Sequence, residues 1–514
     1  MQYPPLLRRL LLALSLGFCA PSLAQEAALA DRWIELQSDN FHIYSQRSER
    51  QTNRFAERLE VWRQAAAFTI SGVDNFPRAN VPNLVYFFDD VQTLQQFVAT
   101  NAPAFFAPSP RANYMAVAVD DEDSIALGFH HYVHFLVRNF NDLRLPRWYE
   151  EGLAGYIARM QVDGDEVEFE RFSQQGNEVL ASVSGSLSME RLLYSDAALA
   201  SPRLIQIANL KSSSLLHYLL HAYEEDEFVD RREQLSSYLG FLLEGRNPRY
   251  AFDRSFDVTT VQLDEEFHAY LLGSRRPAGT IQTGSVTEPT NLSSAVLESA
   301  ALAAQLGELA LNSGNFEVAQ QLFERSTELD ADLARGLSGT GDALRMSEVE
   351  GMDQRIARYF IQAAELSPSD ANILLDYGEY WEAELEDCEK LWPDAQRDSI
   401  ASDVLTYFER AMALNPQSPE ANLAMGEYYL LPGKDWRQGV AYQQRAFELL
   451  PADTFIMEQA VRYAIASERY DEAERLIAEL AQPIHYFGEP AWVSDLRERL
   501  LRKRRGEVYD ACSP

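Results

Sequence analysis

Two histidines one helical turn apart are the residues of this sequence best suited to bind a metal ion. His130 and His134 are separated by four positions. The chain contains 8 histidines, and chance would give about 0.12 pairs at this spacing, whereas the sequence has two. Side chains four apart on a helix project from one face. Both imidazoles can therefore reach one zinc ion at about 2.0–2.1 Å.

A third ligand is expected from the segment downstream. Glu151 follows His134 by 17 residues and lies within the segment 148–154, shortly after Pro146. A turn ending at Pro146 and a second helix can bring this carboxylate back to the two imidazoles. Three protein ligands leave a fourth position for water, which is the arrangement that a hydrolytic zinc requires.

The two segments resemble those of the peptidase-MA-like family of gluzincin metallopeptidases, which carry an HExxH helix followed by a Trp-x-x-Glu-Gly-x-Ala segment. The corresponding runs here are His130-His131-Tyr132-Val133-His134 and Trp148-Tyr149-Glu150-Glu151-Gly152-Leu153-Ala154. The likeness extends over residues 31–275 and includes the segment 211–219. It implies an α+β zincin-like domain with zinc as its cofactor.

The resemblance also implies roles for individual residues. His130, His134 and Glu151 match the family's zinc ligands. His217 is similar in placement to a family position near the catalytic cleft, so the resemblance implies that it hydrogen-bonds substrate or a bound group.

The position of the family's general base departs from this pattern. The family has Glu directly after the first histidine, and this chain has His131. That Glu takes a proton from the attacking water and passes it to the leaving amine. A neutral imidazole accepts a proton near pH 6.5, so His131 can act as an atypical catalytic base. Loss of a general base costs about 10²–10⁴-fold in rate.

Glu150 is a second possible substitute for the missing carboxylate. Adjacent helical residues diverge by about 100°, so Glu150 and Glu151 do not easily face the same ion. We rank catalytic inactivity first, His131 as an altered base second, and rescue by Glu150 third.

A core helix with hydrogen-bonded imidazoles and no metal is the alternative for His130 and His134. Three clustered histidines, together with the segment 148–154, favour the metal over that alternative. The second pair, His217 and His221, has no evident third ligand, so we do not expect a second zinc site there. His221 is interpreted as structural.

The composition is that of a globular protein with an acidic surface. The 514 residues suffice for two to four domains. The chain has 78 acidic and 45 basic residues, which gives a formal net charge of −33. Such a surface repels phosphate backbones. We therefore expect neither nucleic acid nor anionic membranes as partners.

Residues 1–24 are predicted to be an export signal. Arg8 and Arg9 precede an apolar stretch, and a small-residue cleavage site ends at Ala24. No later segment approaches 18 uninterrupted apolar residues. We therefore expect a mature chain without a transmembrane segment, either periplasmic or secreted. In an oxidising compartment Cys388 and Cys512 can pair or remain free thiols, and the sequence leaves both open.

The N-terminal part, residues 31–272, mixes predicted strands and helices. Alternating or continuous short apolar runs predict strands, whereas apolar residues at helical spacing predict helices. The strands are predicted at 33–36, 41–44 and 84–88, and the helices at 53–68, 124–140 and 148–160.

A linker and a helical array are predicted beyond this domain. Residues 273–293 are rich in Gly, Ser, Thr and Pro and lack an apolar stripe, which is typical of a flexible linker. Residues 294–503 resemble tetratricopeptide (TPR) repeats, and 504–514 form a tail. In the repeats small residues precede Phe, Ala and Pro at a period near 34, with an acidic insertion at 382–399. The alternative is a generic helical bundle.

Two functional hypotheses follow from these patterns. The first is an exported TPR protein whose zinc-metallopeptidase-like domain is degenerate in catalysis and serves protein or peptide binding in the cell envelope, with the ligand in the TPR groove. The second is an active zinc-dependent peptidase that uses His130, His134 and Glu151 with an atypical base.

Overall fold

The computed structural model describes most of the chain. The described residues are 23–140, 145–163, 166–169, 174–194, 201–225, 227–273, 279–282, 292–347, 352–387, 390–481 and 490–507. Residues 1–22 of the predicted signal, Cys388 and Cys512 lie outside these ranges, so the signal and the cysteine pairing stay predictions.

The chain is mostly helical, with an N-terminal α/β region and a C-terminal helical region. The strands are β1 Ile34–Gln37, β2 Phe41–Ser45, β3 Asn83–Phe88, β4 Phe105–Pro108, β5 Asn113–Ala118, β6 Gln161–Asp163, β7 Glu166–Phe169, β8 Gly279–Gln282 and β9 Ser293–Val296. The helices of the α/β region are α1 Leu23–Ala30, α2 Glu49–Ser71, α3 Val91–Leu94, α4 Glu122–Phe140, α5 Arg147–Ala158, α6 Gln174–Ser184, α7 Met189–Tyr194, α8 Pro202–His221, α9 Arg232–Leu243, α10 Pro248–Ser255 and α11 Thr260–Leu272. The helices that follow are α12 Ser299–Asn312, α13 Phe316–Leu329, α14 Ala334–Met346, α15 Asp353–Leu366, α16 Ala371–Glu386, α17 Asp394–Leu414, α18 Pro419–Leu430, α19 Val440–Leu449, α20 Thr454–Ala466, α21 Tyr470–Leu480 and α22 Ala491–Arg504.

The larger sheet of the described residues is mixed, in the order β4-β5-β3-β2-β1-β9. Strand β3 pairs in parallel with β2 and β5, whereas β1, β4 and β9 run antiparallel to their neighbours. A smaller sheet has the order β6-β7-β8. The strands and helices predicted from apolar spacing in the α/β region are confirmed, with ends displaced by up to four residues.

Both faces of the larger sheet are covered, which explains why β3 is a continuous apolar run. Val85 and Phe87 belong to a core with α2 and α4. Tyr86 and Phe88 point the other way, into a core with α12 and α13. The first two helices of the C-terminal region therefore form one layer of the N-terminal fold.

The segment predicted as a flexible linker, 273–293, contains structure. Within it β8 pairs with β7, and β9 begins at its last residue and pairs with β1 at the sheet edge. All four residues of β9 are exposed. Because backbone hydrogen bonds hold this strand without an apolar face, side-chain patterns did not indicate it.

The C-terminal helices pack as successive antiparallel pairs, and the most extensive contacts join α12 to α13 and α16 to α17. Glycines on the first helix of a pair allow the second to approach closely. A methyl group on Gly307 would lie 2.9 Å from the Phe323 ring, and one on Gly341 would lie 2.9 Å from the Phe360 ring. These are the small and aromatic residues from which the repeats were predicted. The predicted acidic insertion, 382–399, overlaps the end of α16 and the first turns of α17, which is 21 residues long.

Buried ion pairs join the helical pairs to the α/β region. Arg111, in the turn between β4 and β5, donates from Nε to Glu420 at 2.8 and 3.0 Å and from Nη2 to Asp376 at 2.6 Å. Arg335 donates to the second oxygen of Asp376 at 2.8 Å and also pairs with Glu308. Burial acts to raise the pKa of Asp376, but the two guanidiniums outweigh it and lower that pKa.

A second contact lies further along the repeats. Asn80 donates to the carbonyl of Leu449 at 2.8 Å, and the backbone N–H of Ala452 donates to Asn139 at 3.2 Å. The repeats thus contact the α/β region from α12 to the start of α20. Within the described ranges, every helix is too short or too polar to span a bilayer.

We predict that Arg111→Ala destabilises the protein. The change leaves the carboxylates of Asp376 and Glu420 buried with less positive charge, and breaking a buried pair costs about 3–5 kcal/mol. Thermal unfolding followed by circular dichroism should show a clear drop in the unfolding temperature. Arg249→Ala, which removes an exposed arginine paired with Glu190, is the control and should leave it unchanged. Equal curves for both variants would contradict the prediction.

Candidate metal centre

Two helices bring the predicted metal ligands together. His130 and His134 lie on α4, one turn apart, and Glu151 lies in the second turn of α5. Helix α5 begins directly after Pro146, where a proline suits a helix start. His134 and Glu151 are buried, and the His130 side chain is 14% exposed. The candidate site therefore opens to solvent on the His130 side.

The three donor atoms form a compact triangle. His130 Nε2 lies 3.2 Å from His134 Nε2 and 3.3 Å from Glu151 Oε2, and His134 Nε2 lies 3.9 Å from the same oxygen. The point in their plane that is equidistant from the three atoms lies about 2.0 Å from each, which is the shortest such distance and is close to zinc bonds with imidazole and carboxylate. Among the described residues, these three form the cluster of His, Cys, Asp and Glu side chains that fits a metal ion. The donor set fits zinc.

Close packing of α5 on α8 fixes the position of Glu151. A Cβ atom on Gly152 would lie 2.8 Å from the Ser212 carbonyl oxygen, and one on Gly155 would collide with the Ser213 hydroxyl. Only glycine permits the two helix backbones to approach this closely. The glycine beside Glu151 is therefore a packing requirement of the site.

Glu150 orients one of the histidines. Its carboxylate accepts two hydrogen bonds from Arg138, at 2.6 Å from Nε and 3.0 Å from Nη2. Its Oε1 also lies 3.3 Å from His134 Nδ1. A proton on Nδ1 would satisfy this contact and leave the Nε2 lone pair directed at His130 and Glu151, as outer-shell carboxylates do for metal-bound histidines. Sequence reasoning missed this role, although Arg138 lies one turn after His134 on the same helix face.

The charges and burial at the site favour ionised carboxylates and a neutral His130. Burial acts to raise the pKa of Glu150, but His134 and Arg138 outweigh it and lower that pKa to about 2. Burial also acts to raise the pKa of Glu151, but His130, His134 and Arg147 outweigh it and lower that pKa. Burial lowers the pKa of His130. These are the protonation states that zinc ligands need.

His131 lies beside the triangle without joining it. Its ring centre is 5.7 Å from that of His130, and burial lowers its pKa to about 3. The imidazole is therefore neutral at neutral pH. A base this weak accepts protons poorly. Its role as an atypical catalytic base stays a prediction.

His217 lies outside the triangle, in a neighbouring polar cluster. Its Nδ1 lies 2.9 Å from the Tyr270 hydroxyl, and its ring centre is 5.1 Å from that of His221. His221 Nε2 lies 2.6 Å from the hydroxyl of Tyr156, which follows Glu151 by five residues on α5. Both imidazoles are buried. The substrate contact predicted for His217 stays a prediction.

Comparisons with known proteins concern the helical repeats. No protein-family model and no curated protein matches the sequence. A thermophilic TPR protein of Thermus thermophilus, TTC0263, is 18% identical, with 40% of this chain and 99% of that chain covered and a TM-score of 0.33. PilF of Pseudomonas aeruginosa is 15% identical, with 40% of this chain and 89% of that chain covered and a TM-score of 0.29. The human IFIT1 dimer with m7Gppp-AAAA is 12% identical, with 65% of this chain and 67% of that chain covered and a TM-score of 0.28.

We predict that the purified protein contains about one zinc ion per chain and that His134→Ala loses it. Glu150→Gln should weaken zinc binding by about 10–100-fold, because the neutral amide holds His134 less firmly. Inductively coupled plasma mass spectrometry and titration against a fluorescent chelator measure both effects. Full zinc content in the His134→Ala variant would contradict the assignment of ligands.

We predict that Gly152→Ala destabilises the fold by about 1–3 kcal/mol, because the new methyl group meets the Ser212 carbonyl oxygen and forces α5 away from α8. The matched control is Gly240→Ala in α9, where an added Cβ has nothing within 4 Å. That change should be neutral or slightly stabilising. Chemical denaturation of both variants provides the comparison, and equal midpoints would refute the close-packing argument.

Proposed function

We propose that this chain is an exported, zinc-binding protein with a peptidase-like domain whose catalysis is degenerate, and that it works by binding a protein or peptide. The observation that carries the proposal is the triangle of His130, His134 and Glu151 donor atoms, 3.2–3.9 Å apart. A structural zinc site is normally closed by four protein ligands, whereas three leave an open position. The site therefore has the form of a substrate-binding centre.

Zinc held in this way would supply Lewis-acid activation of a carbonyl group. The protein groups hold and orient it: Glu150 fixes His134 through Nδ1, and the packing of Gly152 fixes Glu151. Burial of the triangle strengthens electrostatic interactions with a bound carbonyl. These features support recognition of a peptide bond.

The residues available for proton transfer support degenerate catalysis. Glu150 is held by Arg138 and His134, so it is not available to accept a proton from an attacking water. His131 occupies the position of the family's base but is neutral with a low pKa. Neither residue therefore serves as a free carboxylate base beside the open coordination position.

An active zinc peptidase is the second candidate function. The open fourth position of the three-ligand site favours it, with His131 as the atypical base. His217 would then contact substrate through its polar cluster.

The repeats are proposed to bind the partner. Paired helices of this type expose long surfaces that suit peptides and protein faces, and the structural neighbours include a TPR protein. Because the α/β region already covers part of the repeats, an external partner would use the remaining surface. The net charge of −33 favours a protein over nucleic acid.

Whether His131 limits catalysis can be tested by replacing it with the glutamate that the family carries at this position. We expect the zinc-loaded wild-type protein to show no hydrolysis of unfolded casein, and His131→Glu to gain hydrolysis by about 10²-fold or more, the magnitude of a general base. His131→Gln, matched in size and unable to accept a proton, is the control and should remain inactive. Detectable hydrolysis by wild type, equal to that of His131→Glu, would favour the active peptidase instead, and absence of hydrolysis in both would contradict the expected gain.

A further inference from the structure

A cleft of about 610 Å³ lies at the C-terminal end of the repeats. It is bounded by the ends of α18, α20 and α22 and by the connection that contains Trp436. The α/β region contacts the opposite ends of these pairs, at Glu420 near the start of α18 and at Ala452 before α20. The cleft is thus separate from both the metal centre and the covered part of the repeats.

The cleft concentrates positive charge in a strongly acidic protein. The whole chain has four lysines, Lys211, Lys390, Lys434 and Lys503. Lys211 pairs with Asp264 at 2.6 Å, and Lys390 pairs with Glu384 at 2.5 Å. The other two both line this cleft.

Neither of these two lysines is neutralised by a carboxylate within the described part of the chain. The ammonium group of Lys434 lies 4.8 Å from the ring centre of Tyr428 and forms no ion pair there, and Lys503 forms none either. Glu468 and Glu507 also line the cleft, but Glu507 pairs with Arg505 at 3.2 Å. Arg462 and Arg504 also line the cleft, but each is paired with carboxylates, Arg462 with Glu386 and Glu427 and Arg504 with Asp471 and Glu474. The two lysines therefore supply the positive charge available to a ligand.

Aromatic rings form the remaining walls. Tyr429, Trp436 and Tyr470 line the cleft, and all three are partly exposed. Rings beside ammonium groups suit a ligand that has both carboxylates and apolar surface. A cleft of this volume accommodates a few residues of an extended chain.

We propose that this cleft binds an acidic peptide segment that carries apolar or aromatic side chains, with Lys434 and Lys503 contacting its carboxylates. The inference rests on the proposed peptide-binding role of the repeats and names the site and the ligand chemistry. A short peptide feels the local positive field, because charges beyond about 8 Å are screened at physiological salt. A long polyanion would extend from the cleft over an acidic surface that repels it.

The test is fluorescence anisotropy on the full chain with a fluorescein-labelled peptide of alternating glutamate and phenylalanine. Wild type should bind this peptide at least tenfold more tightly than the same peptide with glutamine for glutamate. The double variant Lys434→Gln/Lys503→Gln should lose about tenfold in affinity for the acidic peptide, and Lys434→Arg/Lys503→Arg should retain it. Raising the salt concentration should weaken binding in wild type.

A charge-matched control separates local contact from overall charge. Arg78→Gln/Arg249→Gln removes two exposed arginines of the α/β region, and it should bind the acidic peptide as wild type does. Equal affinity of the lysine variant and wild type would overturn the proposal. So would tighter binding of a twelve-nucleotide RNA that depends on the same lysines.

The zinc content of each sample separates this inference from the proposed function. The lysine variant should retain its zinc, and His134→Ala should retain peptide binding. If wild type binds zinc but does not prefer the acidic peptide, the proposal for the cleft is wrong and the proposed zinc site stands. If wild type binds the acidic peptide but no zinc, the proposed zinc site is wrong and the proposal for the cleft stands.

Discussion

A sheet buried on both faces is the constraint on which the other features depend. Its strands carry large apolar side chains on each side, and exposing one such side chain costs about 1.5–3 kcal/mol. Helices α2 and α4 cover one face, and α12 and α13 cover the other. Because α4 carries His130 and His134 of the candidate metal centre and α12 begins the repeats, the same strands position the candidate site and the helical array.

The buried arginines give this arrangement its register. Apolar side chains still pack when the repeats shift slightly along the sheet, whereas Arg111 must lie within hydrogen-bond distance of Asp376 and Glu420. Such pairs contribute little net stability, since desolvation offsets their attraction, but misplacing them is costly. The same turn directly follows β4, where Phe106 packs near the rings of Tyr132 and Phe135 on α4, the helix of the candidate metal centre. The repeats and the metal centre are therefore linked through one short strand.

Two neighbouring carboxylates at the metal centre acquire different tasks from their surroundings. Glu151 points at the two imidazoles, whereas Glu150 is turned about 100° round the helix and meets Arg138 and His134 Nδ1. The helical divergence that keeps Glu150 from the ion places it behind a ligand. Because Glu150 is hydrogen-bonded to Arg138 and lies beside His134 Nδ1, its carboxylate orients an imidazole and is not free to accept a proton.

The sequence alone determined local features, because helical and strand periodicity express which face of an element is buried. It predicted the strands near 34–45 and 83–88, the two helices of the candidate metal centre and the paired helices of the repeats. Only the tertiary structure decided that the segment after residue 272 adds strands and that the repeats pack on the sheet. These features depend on backbone pairing and on ion pairs between residues more than 250 positions apart, such as Arg111 and Asp376. No local pattern encodes such partners, since an exposed strand and a buried arginine look like surface residues until the fold brings their partners to them.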